Sequence, residues 1–185
     1  MNNRMISILI ALLFAATAQA EWTKLENAVL QPNPSNDGDS FHVVANGKSY
    51  FFRLYFADCP ETQDRLKERI DEQALVFGMN PKNVIKMGRV AEDFTRERLK
   101  VPFTVWTEWM DAMGDSQVQR FFAFVQDYEG QDLAQELVGS GMARAHGAQA
   151  DHPEGPNRKT QWDILDRLQQ KAKSQKLGCW DVKLK

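Results

Sequence analysis

The sequence is poor in the residues that build the commonest metal and disulfide sites. It holds two cysteines, Cys59 and Cys179, and three histidines, His42, His146 and His152. Two cysteines so far apart, with no histidine cluster, do not suggest a zinc centre. Positive charge is not in excess either. Lys and Arg number 23 against 25 Asp and Glu, a formal net charge of −2. That balance is not the footprint of a protein that coats nucleic acid through bulk charge. Any polyanion must be held by local basic groups and a bound cation. There is no internal repeat and no low-complexity tract. The apolar run at 5–16 is too short for a comfortable membrane span.

What is present begins with a leader. Arg4 gives a positive start, the apolar run follows, and Ala18-Gln19-Ala20 fits the small-x-small cleavage pattern. Residues 1–20 are therefore predicted to be a signal peptide, and 21–185 to be one exported domain, periplasmic or secreted. Position 21 is Glu21, not cysteine, so a lipid anchor is not suggested. Loss of Arg4 makes the mature chain one unit more acidic. An oxidising destination permits a Cys59–Cys179 bridge, and two unpaired, partly buried thiols are the alternative. Sequence spacing does not decide between them.

The stretch around which the chain is organised is 35–62, SNDGDSFHVVANGKSYFFRLYFADCPET. Two strand-like runs, 40–45 and 48–57, flank Asn46-Gly47, a strong signal for a two-residue hairpin turn. A hairpin brings the acids before its first strand, Asp37 and Asp39, to the end where Asp58 and Glu61 leave its second. Carboxylates gathered at strand ends can bind a hard cation through oxygen. Asp-Gly-Asp alone is weak, because such turns are common for their geometry. Arg53 strengthens the case, since an arginine inside the apolar run FFRLYF needs an internal carboxylate or an anionic ligand. Arg120 repeats the pattern at the head of RFFAFV.

Further strands are predicted near 25–30, at 103–107 and 120–126, with a short last one at 142–146. Helices are predicted at 63–77, from Pro81 to about residue 100, at 133–138 and at 160–176. Leu66, Ile70, Ala74 and Phe77 mark the apolar stripe of the first. Asn80 caps the second, with proline at its first position. The arginines and lysines of 65–69 and 167–176 read as solvated faces, His42, His146 and His152 as solvent-facing, and Trp106, Trp109 and Trp162 as packing. The polar segment 147–159 reads as a loop. Five strands interrupted by helices suit an α+β, mainly β fold: a five-stranded OB-fold Greek-key barrel with three or four helices packed on it.

These segments resemble the staphylococcal nuclease (thermonuclease) family. The resemblance is carried by NDGDS (36–40), RLYFADCPET (53–62), MGRVAEDFTRERL (87–99), RFFAFV (120–125), DLAQELVGSGMAR (132–144) and LQQKAKSQKLGCW (168–180). It implies a calcium-dependent nuclease that hydrolyses phosphodiester bonds of DNA and RNA and leaves 3′-phosphates. Carried over motif by motif, Asp39 and Asp58 are expected as Ca2+ ligands through their side chains, Cys59 through its backbone carbonyl, and Asp37 from the outer shell. Arg53 and Arg120 are expected to hold the phosphate, and Glu61 to act as general base. Nucleic acid is the expected partner, with the protein a monomer that has no stable membrane association after loss of the leader. A non-catalytic nucleic-acid-binding module on the same fold is the alternative, and a calcium-stabilised interaction protein a weaker third. The chain departs from the family pattern where Gly114 and Arg120 are separated by 115–119. His146-Gly147-Ala148-Gln149 stands where base-stacking aromatics are expected, and 63–84 runs longer than in short members.

Overall fold

The computed structural model describes residues 21–114, 118–181 and 183. The expected signal peptide at 1–20 lies outside the described residues. Among the described residues, seven strands and four helices follow one another as β1 (Thr23–Leu30), β2 (Ser40–Ala45), β3 (Lys48–Leu54), β4 (Ala57–Asp58), α1 (Lys67–Phe77), α2 (Pro81–Arg98), β5 (Phe103–Thr107), β6 (Phe121–Gln126), α3 (Leu133–Gly139), β7 (Arg144–Ala145) and α4 (Arg158–Gln175). A 3-10 turn at Gly178–Trp180 ends the described elements.

Five strands close into a barrel in the order β1-β2-β3-β6-β5. The β3–β6 pairing is parallel and the others are antiparallel, so the expected OB-type barrel is formed. Closure depends on β1 serving two neighbours. Its first part pairs with β5 up to Ala28, and Val29 and Leu30 pair with β2. The register shifts between Leu25 and Ala28, where Asn27 takes a positive φ of 55°. A bulge of this kind bends a strand enough to turn a barrel corner. The β2–β3 hairpin turns through Asn46 (φ 50°) and Gly47 (φ 73°), the paired positive φ angles that a two-residue turn demands.

Alternation along the strands fills the barrel. Phe41, Val43 and Ala45 of β2, Phe52 and Leu54 of β3, and Val105, Ala123 and Val125 opposite them are almost fully buried. α3 and α4 close one side through Leu133, Leu137, Val138 and Leu165. A second, smaller cluster joins Ile70, Ala74 and Phe77 of α1 to Val84 and Met87 of α2 and to Cys179. Asn80 and Asn157 cap α2 and α4 by accepting from the third residue onward.

Several expectations are corrected. The second hairpin strand ends at Leu54, not at residue 57. The chain kinks at Tyr55-Phe56, where buried Phe56 adopts φ 64°, an outlier for an aromatic residue. Ala57 and Asp58 then pair with Ala145 and Arg144 as a separate two-stranded ribbon. The first helix starts at Lys67 rather than 63, which leaves Leu66 exposed and outside the apolar stripe. The final strand is only Arg144–Ala145. Of the two readings left open for the cysteines, the unpaired one holds, with Cys59 and Cys179 both free and buried. His152 is buried against Trp106 and Phe124 rather than solvent-facing, although the 147–159 segment around it is the mostly exposed loop expected.

Candidate active site

The turn before β2 and the ribbon after β3 do bring the expected acids together. Asp37 sets the turn, with one carboxylate oxygen accepting from the backbone N–H groups of Asp39 (3.0 Å) and Ser40 (2.6 Å). Asp39 points inward. Its Oδ1 accepts from the Ser40 hydroxyl at 2.9 Å and its Oδ2 from the Cys59 N–H at 2.8 Å, which joins the two acid-bearing segments directly. α2 clamps this junction from behind. The Thr95 hydroxyl donates to the Gly38 carbonyl at 2.7 Å. Gly88 lies so close to the chain at Pro60 and Glu61 that a Cβ there would overlap both backbone carbonyls. Burial, then the neighbouring Asp39 charge, pushes the Asp37 carboxyl well above the ordinary range.

Arg53 pairs across the hairpin with Ser40 and across the parallel seam with Phe122. Its Nη2 reaches Asp58 Oδ1 at 3.2 Å and lies 3.7 Å from Asp39 Oδ2. The partly buried arginine therefore has internal carboxylate partners, led by Asp39, whose charge raises its pKa. Arg120 immediately precedes β6. Its Nε donates to the Ala112 carbonyl at 3.0 Å and its guanidinium lies over the Phe51 ring, 5.5 Å from the centroid. Burial and the nearby Arg53 charge lower its pKa. The connection before Arg120 is held at its base, with the Ala112 N–H donating to Arg120 O and the Phe122 N–H to Met110 O. That fixes Arg120 despite the length of 115–119, of which 115–117 lie outside the described residues. Arg53 and Arg120 flank a cleft of about 360 Å³ that Asp58, Arg69, His146 and Gly147 also line. His146 thus stands at the cleft.

Glu61 follows Pro60 at the same end of the barrel. Its backbone N–H donates to Gln73 Oε1 at 2.9 Å, and its Oε1 accepts from Arg69 Nε. Among the described residues no protein donor reaches its Oε2, and the side chain is partly exposed.

Four participants escape the sequence reading. Arg69, Glu72 and Gln73 share one face of α1, at i, i+3 and i+4. Arg69 was expected on a solvated face, yet it bonds Asp58 Oδ1 through Nη2 and Glu61 through Nε. Arg144 of β7 donates from Nε to Asp58 Oδ2 at 2.7 Å and forks onto Glu72 at 2.5 and 2.9 Å. Gln73 donates to the Cys59 carbonyl at 2.9 Å. The spacing on α1 was visible in the sequence, but nothing there said that this face opposes Asp58. Burial alone would push Asp58 upward; Arg69, Arg144 and Arg53 together outweigh it and hold the carboxyl below its ordinary value.

The oxygens expected to hold calcium are therefore already engaged. Asp58 accepts from three guanidinium groups, both Asp39 oxygens have donors, and the Cys59 carbonyl faces Gln73. Formal charge is also nearly balanced without a metal. Asp37, Asp39, Asp58, Glu61 and Glu72 stand against Arg53, Arg69, Arg120 and Arg144. A divalent ion added here would tip the site to net positive beside three guanidinium groups. The residues as they stand do not fit calcium.

No curated protein matches the chain. A family model, that of the staphylococcal nuclease homologue, matches residues 51–182. The match takes in Arg53, Asp58, Glu61, Arg69, Arg120 and Arg144, and begins after Asp37 and Asp39. With most of the chain covered, and with the barrel that the family resemblance implied, the protein belongs to the family of staphylococcal nuclease homologues.

Proposed function

We propose that the protein is an exported nuclease that hydrolyses phosphodiester bonds of DNA and RNA to leave 3′-phosphates. One observation carries this reading: Arg53 and Arg120 flank the cleft, and Arg69, which also lines it, holds Glu61 by Oε1, leaving Oε2 without a protein donor among the described residues. A phosphodiester entering the cleft brings the negative charge that two partly buried arginines favour. Each guanidinium is a planar fork that can bond two phosphate oxygens and tighten as charge builds on them. Glu61 orients a water against phosphorus and takes its proton as the new P–O bond forms and the bond to the 5′ oxygen breaks. Arg69 bonds only Oε1, which fixes the carboxylate plane and leaves Oε2 as the base. None of these roles requires a calcium ion. Export rests on the leader pattern at 1–20.

Digestion of single-stranded DNA, duplex DNA and RNA by the purified mature protein tests the proposal. The expected result is cleavage with 3′-phosphate ends, abolished in Arg53→Ala. Binding of the same substrates with no cleavage would instead identify a non-catalytic nucleic-acid-binding module.

A further inference from the structure

We propose that Arg69, carried on α1, is the resident cation of this site, standing where a calcium ion would otherwise be held, so that the protein works without taking up calcium at Asp39 and Asp58. The catalytic half of this inference rests on the nuclease reading; the metal-binding half does not.

The position of Arg69 is set by α1 itself. Its apolar positions, Ile70, Ala74 and Phe77, pack into the smaller cluster with Val84 and Met87, which fixes the helix against α2. The adjacent stripe then has nowhere to face but the acid-bearing ribbon. Three successive site residues of that stripe find three different targets. Arg69 bridges Asp58 and Glu61, Glu72 receives the fork of Arg144, and Gln73 bonds both the Glu61 N–H and the Cys59 carbonyl. A side chain that merely collapsed toward an acid would not need this company. The whole stripe is complementary to the ribbon, donor to acceptor, down to a glutamine that satisfies one backbone N–H and one backbone carbonyl at once.

Electrostatics point the same way. Asp58 is only 1% exposed, and a buried carboxylate needs a compensating charge. Arg69 and Arg144 supply it from opposite sides, one on each carboxylate oxygen. A calcium ion needs six to eight oxygen ligands. To gather them at Asp58 it would have to displace Arg69 and bring Gln73 off the Cys59 carbonyl, while remaining close to Arg53. A guanidinium, by contrast, does two jobs that the ion would otherwise share with the protein. It neutralises Asp58 and it orients Glu61. With Arg69 in place, the positive charge that meets the scissile phosphate comes from arginines alone.

Isothermal titration with calcium chloride reads the claim without substrate. The wild-type protein is expected to give no saturable binding up to about 1 mM calcium, the weak end of protein calcium sites. Arg69→Met removes the cation while keeping much of the side-chain volume, and is expected to create a saturable calcium site that Asp39→Asn abolishes. Circular dichroism at the same temperature confirms that each variant is folded. Arg69→Lys retains the charge and is expected to keep calcium out; it serves if the methionine variant fails to fold. Saturable calcium binding by the wild type, lost in Asp58→Asn, would overturn the inference. So would saturable calcium binding by Arg69→Lys, or a folded Arg69→Met that still takes up none. Cleavage by the wild type in excess chelator is expected to match that in calcium. Cleavage only with calcium would overturn the inference, whereas cleavage in neither would overturn the nuclease reading and leave the titration to decide the role of Arg69.

Discussion

Substituting Arg120 by lysine separates a transition-state role from simple attraction. Arg120 is held by one good bond, Nε to the Ala112 carbonyl at 3.0 Å, and by stacking over Phe51. Its terminal nitrogens are only loosely engaged, with Nη1 at 3.5 Å from the Ser40 hydroxyl and Nη2 at 3.5 Å from the Met113 carbonyl. They are therefore held in position yet available to a phosphate. Lysine keeps the charge but loses the anchoring Nε–H and the planar fork. The anchoring bond contributes about 1 kcal/mol to order. Loss of one preorganised donor to the developing charge costs about 2.7–4 kcal/mol, a factor of roughly 10²–10³ in rate. Because the fork tightens in the transition state, kcat and kcat/KM should fall by similar factors. Steady-state cleavage of a short oligonucleotide, with equilibrium binding of the same molecule, measures both. An unchanged kcat with a raised KM would refute the reasoning and make Arg120 a ground-state anchor.

Arg144→Met should cost about 3–5 kcal/mol in urea unfolding, since it strips a nearly buried partner from fully buried Asp58; a loss below about 1 kcal/mol would mean that Arg69 and Arg53 suffice to hold that carboxylate. Gly88→Ala should destabilise the fold by about 1–3 kcal/mol and slow cleavage as well, because the new methyl meets the Pro60 and Glu61 carbonyls; an unchanged melting temperature and rate would show that the α2 contact does not position Glu61. Asp132, half-buried at the start of α3, has its pKa pushed up to about 6 by desolvation. A carboxyl raised in this way contributes stability that is present below its ordinary pKa near 4 and lost as pH rises through about 6. Asp132→Asn, which keeps the acceptor for the Gln135 N–H, should remove up to about 3 kcal/mol of pH dependence between pH 4 and 7, as followed by urea midpoints; an unaltered slope would assign the dependence to other groups.

Much of the barrel and half of the site were legible in the sequence because local rules and global fold agree there. Asn46-Gly47 fixes the hairpin, and alternation in β2 and β3 fixes which side chains point inward. Arg53 then had to meet the acids that the hairpin brings round. The kink at Phe56 was not legible, since the apolar run continues to Ala57 and an aromatic residue gives no signal of a positive φ. Only the tertiary contacts hold it, with its N–H donating to the Ala148 carbonyl and its own carbonyl accepting from His146. Without the kink there is no β4–β7 ribbon, and so no reason to place Arg144 beside Asp58. Arg69 was lost for a related reason. A charged helix face looks solvated until the structure shows that a buried carboxylate lies against it. His152 misled in the same way within a loop otherwise read correctly, because its burial depends on Trp106 and Phe124 from distant strands.

In the proposed reaction, Glu61 activates water for attack on a phosphodiester held by Arg53 and Arg120. The most direct measurement is single-turnover cleavage of an end-labelled oligonucleotide by the wild type and by Glu61→Gln, with affinity for the same oligonucleotide measured in parallel. Glutamine keeps the size of the side chain and can still accept from Arg69, but it cannot take a proton. The account predicts a rate lower by roughly 10²–10⁴-fold with nearly unchanged affinity. Wild-type turnover by the glutamine variant would contradict it.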